Sequence, residues 1–165
     1  MTKSTSDLGD AFLQQARSLL SEDFLPKLRR CLEELDDSDL WWRAHEANNS
    51  AGNLILHLCG NVRQWIISGL GGEPDVRKRA VEFSERRHVP KAELLDKLEE
   101  TLQQADGVLA SFGVSQLLAQ YTIQGFQKTA LEAIFHVVEH FSFHTGQIIY
   151  ITKLRRQVDL KFYDL

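Results

Sequence analysis

Three histidines recur at four-residue spacing in IFHVVEHFSFHTGQII: His136, His140 and His144. On a helix, residues four apart share a face, one turn above the next. Neutral imidazole is the commonest protein ligand for transition metals, and a pair at i, i+4 is a familiar way to hold one. A helical wheel puts Glu132, His136, Glu139, His140, Phe143, His144 and Gln147 in one sector. That sector has three imidazoles and no Lys or Arg, unlike a solvated face. A fourth histidine, His57, lies far upstream in NSAGNLILHLCGN, in register with Asn53 and Asn61 on an otherwise apolar helical pattern. A lone histidine there is more often structural than a ligand. Helical bundles, however, build metal sites from facing helices, and Gly52 and Gly60 would let another helix approach closely. The expectation is a metal site between two helices. Cys59 falls about 200° around from His57 and reads as a small core residue.

A second motif competes. His136-Val-Val-Glu139-His140 fits the H-x-x-E-H metallopeptidase pattern, in which Glu139 would be the general base beside two ligands. Such peptidases take a third, glutamate ligand from a later segment, and no glutamate follows Glu139 here.

The elements that must carry these residues read as helices. The first spans about Asp7 to Leu35, with Pro26 kinking or breaking it, and DDSD ends it. Leu40-Trp41-Trp42 reads as a packed turn serving the core. A second helix starts near Ser50, after Asn48 and Asn49, and stops at SGLGG. Residues 73–89 read as a charged loop with room for a short helix, and a third helix runs from about Pro90 to Ser111. Residues 113–128 read as a polar connection. The last helix opens at Thr129, where Thr129-Ala-Leu-Glu132 matches a capping box, and reaches about Gln157. It is apolar around most of its circumference, which predicts a central position. No alternating strand pattern stands out. The expected architecture is all-α, a four-helix bundle of antiparallel type forming one domain over residues 1–165.

Composition narrows the function classes. A formal net charge of -4 argues against nonspecific nucleic-acid binding. No stretch is apolar for long enough to span a membrane, and MTKSTSDLGD has no apolar core of a secretory signal. Two cysteines, Cys31 and Cys59, are too few for a disulfide framework, so a cytoplasmic location is expected.

The segments NSAGNLILHLCGNVRQWI, DVRKRAVEF, PKAELL and HVVEHFSFHTGQI together resemble the DinB/YfiT-like superfamily, specifically a poorly characterised DinB-like branch, over most of residues 40–160. The H-x-x-x-H-x-G-Q ending is its most recognisable mark. The resemblance implies a four-helix bundle, often a homodimer, with a divalent metal on three histidines. The matching positions are His57, His140 and His144, which leaves His136 an extra residue one turn away. Some members are thiol-dependent S-transferases using low-molecular-weight thiols, or related isomerases, and others have no established activity.

Three neutral imidazoles leave a coordination position open, as catalytic sites do. Zinc, nickel and iron all suit such a set. A bound metal would activate a water or a thiol against a small-molecule substrate. Glu139 is the candidate base or orienting carboxylate. Arg63, Arg77, Arg79, Arg86 and Arg87 gather around the loop after the second helix, and Arg77 and Arg79 are the candidates to recognise an anionic thiol or substrate. The plainer reading is a solvated loop paired with Glu82 and Glu85. Trp65 and Phe83 would line a pocket or serve the core. A noncatalytic, stress-associated binding or dimerisation bundle is the reading from a different class.

Overall fold

In a computed structural model describing residues 5–86 and 89–162, the chain is mostly helical with one small two-stranded sheet. Helix α1 (Thr5–Ser18) runs through a π-helical turn (Leu19–Phe24) into α2 (Leu25–Glu34). Pro26 falls at the start of α2. It has no N–H to continue an α-helical ladder, and the register change just before it absorbs the break. The side chain of Asp36 then accepts from the backbone of Asp39 at 2.8 Å and starts the short α3 (Asp37–Leu40).

Helix α4 (Ala51–Val62) starts at a capping box in which Ser50, not the two preceding asparagines, is the cap, and Asn53 is its partner. A second π-helical turn (Arg63–Ser68) carries it to the glycines. The charged segment after these contains one short helix, α5 (Arg79–Ser84), and α6 (Lys91–Ser111) follows. Helix α7 (Ala130–Arg156) begins at the expected Thr129–Glu132 capping box and ends at Gln157, which adopts a left-handed conformation. Helix α4 packs on α5, α6 and α7, and α2 packs on α6 and α7. Leu28, Leu32, Ile55, Leu58, Leu94, Leu98, Ile134 and Phe141 are buried completely or nearly so, and form one continuous core with their neighbours.

Two expectations need correction. Residues 113–128 are not strand-free. Strands β1 (Gln120–Ile123) and β2 (Phe126–Thr129) pair antiparallel, from Gln120 opposite Thr129 to Ile123 opposite Phe126. The two-residue loop is Gln124-Gly125, both at positive φ (54° and 79°), as a tight hairpin of native twist requires. Each strand has four residues, and of the eight only Ile123 is buried, so the alternation is too short to register as a period of two. The hairpin ends on the cap of α7 and so fixes where that helix starts.

The second concerns the tryptophan pair, whereas α7 is central as expected, although it is not enclosed all round. Ala133, Ile134, Val137, Phe141, Thr145, Ile148 and Thr152 are buried, but Phe135, Phe143, Tyr150 and Leu154 are exposed. Only Trp41 of the tryptophan pair is a core residue, donating its indole N–H to the Val89 carbonyl at 3.1 Å. Trp42 is half-buried under the Arg155 guanidinium, 4.8 Å from the ring centroid. The far end of α7 is tied down by buried Asp39, which accepts from Arg155 at 2.6 Å and Arg156 at 3.0 Å. No helix among the described residues is long and apolar enough to cross a membrane.

Candidate metal centre

The row Asn53–His57–Asn61 on α4 faces the histidine column of α7, and each of its members has a different partner. Asn53 is fully buried and donates its side-chain amide to the carbonyls of Glu82 at 2.8 Å and Glu85 at 3.4 Å. It thereby pins α5 across α4. One turn on, His57 meets the side chains of both α5 and α7. A further turn on, Asn61 lies 3.4 Å from Nε2 of His136.

His57, His140 and His144 each bring one ring nitrogen into a cluster in which all three atoms lie within 4.8 Å of one another. Nε2 of His140 is 3.1 Å from Nε2 of His57 and 3.2 Å from Nε2 of His144. The other ring nitrogens decide what these contacts are. Nδ1 of His57 is 2.8 Å from Glu82 Oε2, and a carboxylate only accepts, so Nδ1 carries the proton. Nδ1 of His144 is 2.7 Å from Gln147 Oε1 and donates in the same way. Both Nε2 atoms therefore present lone pairs to Nε2 of His140. A proton on that middle nitrogen satisfies one contact and leaves the other repulsive, whereas a cation between the three satisfies both. The two separations from His140 are also close to the edge of a tetrahedron with metal–nitrogen bonds of about 2.0 Å, roughly 3.3 Å. The residues fit a divalent metal held by three imidazoles.

Electrostatics favours the lone-pair form of the two α7 histidines. Burial, followed by the neighbouring His144, His57, His136 and Arg77, pushes the His140 pKa down to about 3. Burial also lowers that of His144, against the raising effect of its bond to Gln147. For His140 and His144 these effects favour the neutral imidazole, the form that binds metals.

Behind His57 stands a buried ion pair. Arg77 donates to Glu82 through Nε at 2.7 Å and Nη2 at 2.9 Å, and through Nη1 to Gln64 at 2.9 Å. Its Nη2 also lies 3.1 Å from His57 Nδ1, with both donors sharing the same carboxylate oxygen. Burial raises the Glu82 pKa, but the bonds from Arg77 and His57 outweigh it and hold the carboxyl below its usual range. Gly60 makes the approach possible. A Cβ there would lie 2.0 Å from Glu82 Oε1 and 2.9 Å from Arg77 Nε. The close approach expected at this glycine is that of the short helix α5, with Arg77 from the loop before it, while Gly52 admits the Trp41 ring instead of a helix. Phe83 completes the setting, its ring 4.6 Å from that of His57.

The other candidates fall outside the cluster. His136 stacks against Trp65 at 4.4 Å and faces Asn61. Glu139 is exposed beside it, along a shallow cavity with Trp65, Lys128 and Phe135. Arg79 is exposed and lies over Phe83, 4.9 Å from the ring centroid. Arg63 bonds Gln104, and Arg86 caps the carbonyls of Phe83 and Glu85, while Arg87 lies outside the described residues. Cys59 is a buried free thiol, its pKa pushed up to about 12 by burial, as a core residue. Two functional positions were not foreseen. Glu82 had been read only as a solvated partner of the arginines. Gln147 shared the histidine sector, and its i+3 spacing from His144 was the signal for its role.

The chain matches the family described as "Protein of unknown function (DUF1572)" over residues 7–164, and it belongs to that family. No curated protein matches it.

The geometry makes one prediction that needs no metal. Glu82→Ala should remove the preference of His57 for the Nδ1–H tautomer, read from its imidazole nitrogen shifts by NMR. Gly60→Ala should do the same by pushing Glu82 aside. An unchanged tautomer in both folded variants would contradict the assigned contact.

Proposed function

We propose that the protein is a metal-dependent enzyme of the DinB-like type, with a divalent metal held by His57, His140 and His144. The observation that supports this most is the convergence of three Nε2 atoms, two of them, on His57 and His144, with the tautomer set from behind by Glu82 and Gln147. Partners of this kind orient the imidazoles of metal sites. The bound metal would supply Lewis acidity and stabilise a coordinated hydroxide or thiolate. The chain's own residues do the rest. Glu82 accepts a hydrogen bond from Nδ1–H of His57 and keeps that ring turned inward. Arg77 keeps Glu82 ionised. Phe83 shields one face of His57 from water.

The reaction we favour is S-transfer from a low-molecular-weight thiol to an electrophilic small molecule, or hydrolysis of such a molecule, on a single four-helix-bundle domain. Zinc, nickel and iron are the candidate metals. Two free buried cysteines fit a cytoplasmic setting. The H-x-x-E-H peptidase reading loses support because His136, one of its two required ligands, faces Asn61 and Trp65 instead of the cluster.

We also propose a homodimer. Phe143, Tyr150 and Leu154 form an exposed apolar row at i, i+7 and i+11 on α7, and a second copy of the chain would cover it.

Two experiments test these readings. Metal-replete protein should conjugate a chromogenic electrophile to small thiols, or hydrolyse an activated ester. The His144→Ala variant, if folded, should lose about a hundredfold or more of that rate. No turnover with any thiol or water, while metal stays bound, would favour the noncatalytic binding bundle. Sedimentation should give a dimer that Tyr150→Lys with Leu154→Glu converts to a monomer, and a wild-type monomer would end the dimer reading.

A further inference from the structure

We propose that the opening beside the three histidines takes a small ligand with a metal-coordinating atom at one end and an anionic group, a carboxylate or its like, at the other, with Arg79 and Lys128 holding the anion. This rests on the metal reading of the cluster and adds the class of molecule the site selects.

A cavity of about 440 Å³ is lined by two of the cluster histidines, His57 and His140, and around them by Asn61, His136, Arg79 and Lys128. No Asp or Glu among the described residues lines it, although acids make up much of this net-acidic chain. Its cations differ in availability. Arg77 also lines the cavity, but its guanidinium is committed to Glu82 and Gln64. Arg79 has no carboxylate partner among the described residues. It is held in place by stacking on Phe83, which itself packs on His57. Lys128 reaches the cavity from the hairpin and has only a long, exposed contact to Glu132 at 3.4 Å. Exposed pairs of this kind contribute little and exchange readily. An arginine fork and a lysine from two different segments thus face the same space as the metal ligands, with no acid between them.

The wall carries a second sign of a polar occupant. Asn61 Oδ1 and Trp65 Nε1 are buried without a partner among the described residues, and both residues line this cavity. Buried polar atoms are normally paired, so an unpaired acceptor and an unpaired donor just behind this wall add to its polar character. An apolar ligand would leave the cations unused.

The test uses full-length protein loaded with cobalt(II), titrated with mercaptobutyrate and with the equally long uncharged thiol mercaptobutanol. The thiolate-to-cobalt charge-transfer band reports binding. Wild type should bind the carboxylated thiol about tenfold more tightly. The Arg79→Gln/Lys128→Gln variant, with an unchanged cobalt spectrum, should show a preference close to one. Equal binding by wild type would overturn the proposal. So would a preference that survives in the variant, because it would then arise from chelation and not from the cationic rim. Failure to take up cobalt would instead overturn the metal reading beneath it.

Discussion

The carboxylate of Glu82, shared between Arg77 and His57, is the contact on which the rest of the site depends. It is a buried ion pair, with Arg77 4% and Glu82 10% exposed in their side chains. Pairs of this kind are poor stability devices, because the cost of desolvating both charges offsets most of their attraction. Well-packed apolar residues would serve the fold as well. What the pair does achieve is to place an acceptor behind one ring nitrogen of His57, so that the other faces His140 as a lone pair. Gly60, Asn53 and the α5 segment are then all parts of one support. Gly60 leaves room for the carboxylate, and Asn53 holds the backbone that carries it.

The second half of the site is carried by α7. Its capping box and the hairpin leading into it fix where the helix begins, and the buried Asp39 with Arg155 and Arg156 fixes where it ends. Between these anchors His140 and His144 stand one turn apart, and Gln147 orients the second of them within the same helix. One histidine of the cluster is therefore oriented from across the fold and another from its own helix. His140, between them, is pushed furthest toward the neutral form by burial and by its cationic and imidazole neighbours.

Much of this was legible in the sequence, for physical reasons. The long helices declare themselves through apolar spacing and caps, and Thr129–Glu132 fixed the start of α7 to the residue. The alignment of Asn53, His57 and Asn61 was visible as a polar row on an apolar helix, and all three proved to face partners. Other features depend on contacts that spacing does not encode. Glu82 lies 25 residues from His57 on a short helix with no strong periodicity, and only the fold of the intervening loop brings them together. The hairpin is too short and too exposed to alternate, although Gln124-Gly125 was a usable turn signal. The apolar circumference of α7 pointed to the central position it takes, but hydrophobicity alone does not say which face finds a neighbour within the same chain.

The measurement that bears most directly on the central claim is elemental analysis of untagged protein, comparing wild type with the His57→Ala, His140→Ala and His144→Ala variants, each checked for helical content. The expected result is about one divalent metal per chain in wild type and a loss in every folded variant, as for a site with three protein ligands. No metal in wild type after reconstitution, or undiminished metal in the variants, would contradict it.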